Sequence, residues 1–566
     1  MKTRIIISCL ALLFTFAPGA LRAQLVRSHD GQAEGNWYNL SKETDGVYGM
    51  DITSAYRFLA GKQPKATPVV AVLYAGMDVE HEALAAYVWK NPNEKEDGAD
   101  NDNNGYTDDI YGWNFLGGKD GEVMEYTSQR GDREDFRLKD KYADLVFDGK
   151  TYFKYTGRQR TAMPAPADME EYEYYMSEVL FASEIAQAHA SMQFGRIFRD
   201  YAVIFDKELK AKFPNQETFS KEDLLSLRTP ERDSLRDVAL DIHGYYFGFG
   251  GVNGWKDVYD AFEGGSQLDG FINTYENLLR KNKEDDRAVI VGDDARDIND
   301  TRYGNNIMLT PYAMAGTMMA GIIAGKRGVE GRNDPVAEHA LVMPLVVAPG
   351  KGDIYLKDLA LAIRYAVDNG ASVIVLPGQD KFYPEPDRTW VTEALRYAEQ
   401  KGVLAVVSVS MTAENIDEIA FYPNRFMDGE KELTNLMVVA ASDKDGNPIK
   451  PSNYGQEGLD LYAPGVDILS ANVGDIYQVG SNDMLASAST AGVAALIKSY
   501  YPSLTGAQIR DILLRSVTSR KGEEVEKIMV VDGNNVQTYV PFETLSLSGG
   551  ILNANKAVRL ADEMAK

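Results

Sequence analysis

The chain is nearly free of cysteine, since its 566 residues include only Cys9. The first 23 residues have the layout of a secretory signal peptide: Lys2 and Arg4 precede an apolar run over residues 5–19, and small residues lead to a cleavage point after Ala23. This run is too short to span a bilayer as a helix. We therefore predict a signal peptide at residues 1–23, export to the periplasm or the extracellular space, and a mature chain without disulfides or reactive thiols.

Positive charge and histidine are also scarce. Lysine and arginine number 59 against 84 aspartates and glutamates, which gives a formal net charge of −25. A surface of this sign repels nucleic acids and anionic membranes, so neither is expected as a partner. The five histidines include no pair with the spacing of metal ligands, and no later segment is predicted to cross a membrane.

Short apolar runs indicate buried strands in two regions of the chain. There are five, at residues 68–73, 340–347, 371–376, 403–409 and 436–441. Helical patterns at 356–369 and 389–400 lie between three of them. Continuous apolar strands that alternate with helices predict a parallel sheet covered on both faces, so the fold class is α/β.

The pattern changes between residues 123 and 287. Asp168 reads as a helix cap, and a capping box begins at Ser220. The segment also contains an aromatic, glycine-rich tract at 244–251, which is either an exposed partner surface or a packed loop. We interpret 123–287 as a largely helical insertion between residues 24–122 and 288–566, which form the α/β domain.

A polar turn at residues 480–483 runs into a helix dense in small residues, among them Ala488, Ala491 and Gly492. Such a helix packs closely against neighbours on all sides. The first turn of a buried helix is a favoured place for a nucleophile, because its N–H groups favour nearby negative charge. In this chain the place holds Met484.

Several segments, in chain order, resemble motifs of the subtilisin-like serine proteases, the subtilases. VVAVLYAGMDVEHEAL (69–84) resembles the strand with the catalytic aspartate, and AGTMMAGIIAG (315–325) the helix with the histidine. LAVVSVSMTAENID (404–417) resembles the strand before the oxyanion asparagine, and residues 480–504 the helix with the serine. Further matches are SNYG (452–455), LYAPGVDILS (461–470) and SGGILNA (548–554). The resemblance implies a subtilisin-like fold, with helices on both faces of a parallel sheet.

The same resemblance implies that the catalytic groups are absent. It places Tyr74 at the aspartate position, Ala315 at the histidine, Met411 at the oxyanion asparagine and Met484 at the serine. A serine nucleophile needs a base, and the base needs an orienting carboxylate. Loss of the serine or the histidine alone costs on the order of 10⁶ in turnover in subtilisin, and loss of the oxyanion asparagine about 10² to 10³.

The substrate-binding strand is altered as well. In subtilases this strand offers backbone groups to an extended peptide. The resemblance places Pro377, Gly378 and Gln379 there, and proline has no N–H to donate. We expect only a remnant of the docking edge.

An acidic run at residues 100–109 is a candidate calcium site. Asp100, Asp102, Asn104 and Asp108 alternate as oxygen ligands around the turn at Gly105. Tyr111 stands where an EF-hand has its terminal glutamate, so any site is a truncated variant. Similar runs in subtilases look structural, and the alternative is a solvated acidic turn. No cofactor is required, and structural calcium is the one that the sequence suggests.

Two carboxylates lie next to the vacated positions. Asp78 and Asp483 could form a new pair in the cleft, but a turn-stabilising Asp78 and a helix-capping Asp483 are the preferred interpretation. For His81, a surface or capping role is expected.

Two functions remain open. In the first, the chain is an exported, catalytically inactive subtilase-like protein that binds a protein or peptide partner in the cell envelope. The two methionines then give the cleft adaptable apolar side chains. In the second, it is an active serine-type endopeptidase or another hydrolase that uses displaced catalytic groups.

Overall fold

A computed structural model describes residues 36–566, except 148–149, 157–158, 230–234, 249–251, 264–269, 271, 278–284, 428, 430 and 532. The predicted signal peptide therefore lies outside the described residues. The strands are β1 (Val69–Tyr74), β2 (Trp113–Asn114), β3 (Val146–Phe147), β4 (Tyr152–Thr156), β5 (Gln159–Met163), β6 (Leu341–Val346), β7 (Ala371–Val375), β8 (Leu404–Ser408), β9 (Leu436–Ser442), β10 (Leu461–Pro464), β11 (Ile468–Asn472), β12 (Ile476–Gly480), β13 (Thr518–Ser519), β14 (Glu524–Val531), β15 (Asn534–Pro541) and β16 (Gly550–Ile551).

The helices are α1 (Lys42–Asp45), α2 (Ile52–Leu59), α3 (Arg130–Tyr142), α4 (Met169–Tyr174), α5 (Leu180–Ala182), α6 (Glu184–Lys212), α7 (Lys221–Leu225), α8 (Leu235–Tyr246), α9 (Trp255–Phe262), α10 (Arg287–Ile290), α11 (Met314–Ile323), α12 (Leu356–Asp368), α13 (Asp387–Gln400), α14 (Asp483–Tyr500), α15 (Gly506–Arg515) and α16 (Ala554–Met564). A π-helical turn, Tyr175–Val179, joins α4 to α5, and 3₁₀ turns occur at Trp37–Asn39 and Phe542–Thr544. In the described part of the chain, no helix has both the length and the apolar character needed to cross a membrane.

Contacts divide the chain into two compact units. The larger one contains residues 36–127 and 285–566, and its centre is a nine-stranded sheet in the order β13-β16-β10-β9-β8-β7-β1-β6-β2. All pairs in this sheet are parallel except β13 with β16. The α/β prediction is confirmed.

Both faces of the sheet are covered, because successive side chains of a strand point to opposite faces. Val70 and Val72 of β1 belong to one apolar core, together with residues of α2, α11, α14 and α16. Ala71 and Leu73 belong to the other, together with residues of α12 and α13. The predicted apolar runs are therefore continuous rather than alternating.

Helix α14 packs on β7, β8 and β9 and is buried over nearly its whole length. Its small residues permit this close approach. A Cβ atom on Gly492 would lie 2.7 Å from the Cβ of Val336, so a larger residue would force the backbones apart.

The other unit contains residues 128–284. Its described residues include helices α3 to α9 and the small antiparallel sheet β3-β4-β5. Its core surrounds Trp255, Phe205 and Phe262, which all contact the ring of His243. Within the predicted aromatic tract Tyr245 is exposed, whereas Tyr246 and Phe247 pack against this core; residues 249–251 lie outside the described part. The insertion predicted at 123–287 stays a prediction as a domain boundary.

Local helix signals in the sequence are confirmed. The Asp168 side chain caps α4, and Ser220 with Asp223 forms the capping box of α7. Thr505 with Gln508 forms that of α15.

Candidate functional site

Three of the predicted site segments follow strands of the central sheet. Tyr74 ends β1, residues 377–379 follow β7, and Met411 follows β8. Strands β1, β7 and β8 are parallel neighbours. Their carboxyl ends therefore lie at one edge of the sheet, the usual place for a site in an α/β fold.

The two helix starts meet the same edge. Gly316, beside Ala315, lies so close to the turn after β1 that a Cβ atom there would be 1.9 Å from the Gly76 carbonyl oxygen. Met318 of α11 also contacts Gly480, which precedes α14. The starts of α11 and α14 and the end of β1 therefore converge.

The Met411 loop is tied to the start of α14 through residues 452 and 453. The Asn453 Oδ1 accepts hydrogen bonds from the backbone N–H groups of Thr412 (3.1 Å) and Glu414 (3.0 Å). The neighbouring Ser452 donates to Asp483 at the start of α14 (2.7 Å). The structure thus brings the loops of all four predicted positions to one edge of the central sheet, where we expect the cleft.

The side chains at these positions are apolar or neutral. Met484 and Tyr74 are half-buried and pack on the core, and burial raises the pKa of the Tyr74 phenol above its usual value. Met411 is 50% exposed, and Met314, beside Ala315, is 44% exposed. At neutral pH none of these groups ionises, and Met411 and Met314 are exposed to solvent.

The remnant of the docking strand is already hydrogen-bonded within the chain. The Gln379 N–H donates to the Ser408 carbonyl oxygen (2.9 Å), and its own carbonyl oxygen accepts from Ser410. The next residue, Asp380, exchanges both backbone hydrogen bonds with Tyr422. This internal pairing uses backbone groups of residues 379 and 380, and Pro377 has no N–H to donate.

Asp483 is not the helix cap, so that prediction was wrong. Asn482 caps α14 by accepting from the Leu485 N–H (2.9 Å), because it occupies the extended residue just before the helix. Asp483 is buried instead, and its carboxylate accepts from the Ala441 N–H (2.7 Å) and from the Ser452 hydroxyl.

Lys527 of β14 completes this buried group. Its Nζ donates to the carbonyl oxygens of Lys450 (2.8 Å) and Ser452. Burial lowers the pKa of Lys527 to about 7, against the opposing effect of Asp483. Burial also raises the pKa of Asp483 to about 6, although its hydrogen bonds and Lys527 act in the other direction. Sequence reasoning missed Lys527.

The remaining predicted residues have structural contacts. Asp78 stabilises its turn as expected, accepting from Glu80 (3.3 Å) and Gly474 (2.9 Å). His81 is fully buried, so the surface alternative was wrong, whereas its contacts fit the capping alternative. Its ring accepts from the Ala83 N–H (3.1 Å) and lies 3.3 Å from the Ile476 carbonyl oxygen, which links β12 to this turn.

The acidic run holds a cluster of three carboxylates. Oxygen atoms of Glu94, Asp102 and Asp109 lie within 4.8 Å of one another, and Glu94 and Asp109 are buried. Asp102 was among the predicted ligands, whereas Glu94 and Asp109 were missed. Asp109 directly follows a predicted ligand, but nothing in the EF-hand pattern selects Glu94.

The other predicted ligands make different contacts. Asp100 accepts from the backbone N–H groups of Asn104 (3.1 Å) and Gly105 (2.9 Å). Asp108 accepts from Asp97 and Gly98, both at 3.0 Å. The Asn104 amide donates to Asp109 (2.9 Å). These three side chains shape the loop around the carboxylate cluster.

The donor set of the cluster fits calcium, which prefers carboxylate and carbonyl oxygens. Burial raises the pKa of Asp109 to about 6, despite hydrogen bonds from Tyr365 (2.5 Å), Asn104 and Asn91. Like charges held this close are mutually unfavourable, and a divalent cation would relieve that repulsion.

A separate groove of about 630 Å³ lies between α12 and α13. Arg364 and Arg388 line it, and each is paired with a glutamate, Glu393 at 3.4 Å and Glu385 at 2.8 Å. Since these charges are matched, we assign the groove no role.

Comparison with known proteins gives matches to subtilases. A family model described as the subtilase family matches residues 272–531. Subtilisin BL of Lederbergia lenta is 33% identical over 208 residues, which is 36% of this chain and 70% of that relative. An alkaline protease of Alkalihalobacillus alcalophilus is also 33% identical over 208 residues, and the chain spans only 50% of its length.

Among solved structures, the A-subunit of the AB5 toxin from E. coli is 21% identical, covers 46% of this chain and 83% of its own, and has a TM-score of 0.36.

Proposed function

Because this chain belongs to the subtilase family, we propose that it is an exported member without peptidase activity, which binds a protein or peptide partner of the cell envelope in its cleft. The single observation that carries the proposal is Met484 at the start of α14, where the family motif has its serine. A thioether has neither a proton to transfer nor an oxygen that attacks a carbonyl carbon.

The other three positions support the same conclusion. Ala315 has no group that accepts a proton, and Tyr74 is a half-buried, neutral phenol that cannot replace a carboxylate. Met411 offers no hydrogen bond to an oxyanion. A cleft without nucleophile, base and oxyanion donor can hold a peptide but has no means to cleave it.

Displaced catalytic groups find little support among the described residues. The Ser452 hydroxyl donates a hydrogen bond to the Asp483 carboxylate, but both side chains are buried and so are not accessible to a substrate. Ser481 is exposed and bonds Asp467 (3.2 Å) without a histidine. None of the four described histidines is hydrogen-bonded to a serine or threonine hydroxyl.

The first test is reactivity. The purified protein is incubated with a fluorophosphonate probe and with casein, beside an active subtilisin. We expect neither labelling nor cleavage, and none from the Met484→Ser variant either, because a serine there still lacks a base. Labelling of the unaltered protein that persists in Met484→Ala but disappears in Ser481→Ala would show a displaced nucleophile and contradict the proposal.

The binding part of the proposal needs its own test. Immobilised protein is exposed to envelope extract, and retention is compared between the unaltered chain, Met411→Lys and Val289→Lys. We expect Met411→Lys to lose a partner that the other two retain, because its side chain is exposed in the cleft. Val289 is 84% exposed and lies outside the four cleft segments. Equal retention by all three would exclude the cleft as the binding surface.

We also propose that Glu94, Asp102 and Asp109 hold a structural calcium ion. Binding to the folded state alone stabilises it by about 2–3 kcal/mol when calcium is at roughly a hundred times its Kd. We therefore expect calcium to raise the melting temperature relative to EGTA, and Asp109→Asn to abolish that difference. Asp108→Asn is the matched control, since Asp108 accepts from the backbone instead. A melting temperature that is the same with calcium and with EGTA would refute the site. If only Asp108→Asn abolished the calcium effect, Asp108 rather than Asp109 would be the ligand.

A further inference from the structure

Strands β14 and β15 form a two-stranded antiparallel hairpin apart from the central sheet. Val531 pairs with Asn534 across a two-residue turn that contains Gly533. In such a hairpin the pair next to the turn exchanges both backbone hydrogen bonds, and the following pairs alternate. The backbone groups of every second residue therefore point away from the hairpin.

On β14 these outward groups are used within the chain. The Val530 N–H donates to the Ala413 carbonyl oxygen (3.1 Å), and the Ile528 N–H to that of Lys450 (3.3 Å). Both bonds come from residues whose backbone groups are expected to point outward, given the alternation that starts at the turn. The outer edge of β14 is thus covered by the loops around the cleft.

The outer edge of β15 has no such cover. Val530, Ile528 and Glu526 pair with Asn535, Gln537 and Tyr539, so the same alternation directs the backbone groups of these three β15 residues outward. Within the described residues, no strand or bridge pairs with β15 besides β14. Tyr539 is 66% exposed, although tyrosine is a large, partly apolar side chain. An open edge of this length is a template for another strand.

The charge of β15 favours a particular partner. Strand β15 carries no charged residue, in a chain with a net charge of −25. Natural edge strands are commonly protected by charge, especially lysine, and this one has only Pro541 at its end. The Gln537 side chain donates to Glu526 of β14, and the Glu526 carboxylate is also paired with Lys450. Two copies of this edge can therefore approach without unpaired like charges in opposition.

We propose that β15 pairs antiparallel with β15 of a second copy of this chain, about a two-fold axis through Gln537. In this register Gln537 faces Gln537 of the second copy, and Asn535 faces its Tyr539. Every outward backbone group of one strand then meets an outward group of the other, and each facing pair exchanges both hydrogen bonds. The edge is self-complementary in this register, as a two-fold interface requires.

The product is a four-stranded sheet, β14-β15-β15-β14, that joins two chains and leaves the cleft residues Met411 and Met484 outside the new strand pairs. The inference is independent of the proposed function, since neither peptidase activity nor its loss enters the argument.

The test is the mass of the purified protein by sedimentation equilibrium, with Gln537→Lys as the principal variant. We expect a dimer for the unaltered chain and a self-association constant weakened about tenfold or more in the variant, because two ammonium groups would face each other across the axis. Gln63→Lys changes the net charge equally at an exposed position outside the hairpin and should leave the dimer intact.

A mixture experiment separates pairing from misfolding. Gln537→Glu is expected to weaken the dimer in the same way, whereas an equimolar mixture of the Gln537→Lys and Gln537→Glu chains should restore it, because opposite charges then face each other. A monomeric unaltered chain at every soluble concentration would overturn the proposal. So would a dimer that Gln537→Lys leaves unchanged, or a mixture that stays monomeric.

Discussion

Replacement of Asp358 by alanine is expected to lower the free energy of unfolding by about 3–5 kcal/mol, the usual cost of removing one partner from a buried ion pair. Asp358 receives two hydrogen bonds from Arg287, at 2.7 and 2.8 Å, and one from the Tyr303 hydroxyl at 2.6 Å. Neither charged side chain is more than 4% exposed. The loss therefore leaves a guanidinium without part of its counter-charge in the interior.

The remaining counter-ion cannot compensate. Asp293 already accepts from Arg287 at 2.8 Å and from Lys357 at 2.7 Å. Without Asp358, the buried group would hold two cations and one anion. Urea unfolding of the variant, followed by circular dichroism, measures the loss as a lower midpoint.

Two further variants serve as controls for the loss of stability in Asp358→Ala. Glu393→Ala removes the acidic partner of Arg364, a pair that is 62% and 40% exposed, and should cost less than about 1 kcal/mol. The double variant Arg287→Met with Asp358→Leu keeps the Asp293–Lys357 pair and should cost less than the sum of its two single changes. An Asp358→Ala midpoint close to that of Glu393→Ala would show that the pair is worth little.

The buried ion pair of Arg287 and Asp358 could not be predicted from the sequence, whereas the strands could. The apolar runs at 371–376 and 436–441 predict β7 and β9 to within a residue, because a strand buried on both faces must be apolar throughout. Arg287 and Asp358 are 71 positions apart and have no local signature. Only the packing of α10 against the start of α12 brings them together.

The candidate site also contains some residues that the sequence predicts and others that only the fold brings together. Motif order locates Tyr74, Ala315, Met411 and Met484, since each lies beside a recognisable strand or helix start. The Asp483 group could not be predicted, because Ser452 and Lys527 come from separate segments that meet only in the fold. An EF-hand pattern over residues 100–109 does not identify Glu94 as a member of the carboxylate cluster, because Glu94 precedes that run in the sequence and joins the cluster only in the fold.

The sequence carries a local signal for the β14–β15 hairpin. Residues 531–534 read Val-Asp-Gly-Asn, and an Asp-Gly pair between β-prone segments is typical of a two-residue hairpin turn. Recognition of the hairpin would have placed Lys527 on a strand.

The Asp483 group explains how the start of α14 can persist without a nucleophile. Its carboxylate fixes the Ala441 backbone and Ser452, while Lys527 binds the carbonyl oxygens of residues 449, 450 and 452. The first turn of the helix is thus held by contacts that Met484 does not make. Selection on folding alone would retain this arrangement.

Replacement of Lys527 by methionine should make stability depend differently on pH. The pKa of Lys527 is lowered from its ordinary 10.5 to about 7 by burial, so between pH 7 and 10.5 the unfolded chain holds a proton that the folded chain has released. Stability of the unaltered protein therefore gains from this lysine as pH rises, by on the order of 3–5 kcal/mol, and methionine forfeits that gain. The difference in unfolding free energy between variant and unaltered protein should shift by this amount between pH 7 and pH 10, in favour of the unaltered protein at pH 10.

Asp483 has the opposite effect on the pH dependence of stability, so the contributions of Asp483 and Lys527 can be measured separately. Its pKa is raised to about 6 by burial, so the folded chain binds the extra proton between pH 4 and 6, and stability falls as pH rises through that range. Asp483→Asn should remove this fall but leave the rise above pH 7, whereas Lys527→Met should do the reverse. Lys119→Met, at an exposed position, controls for the loss of one positive charge. Parallel curves for Lys527→Met and the unaltered protein above pH 7 would mean that the ammonium is solvated, and the buried group would then not hold the start of α14.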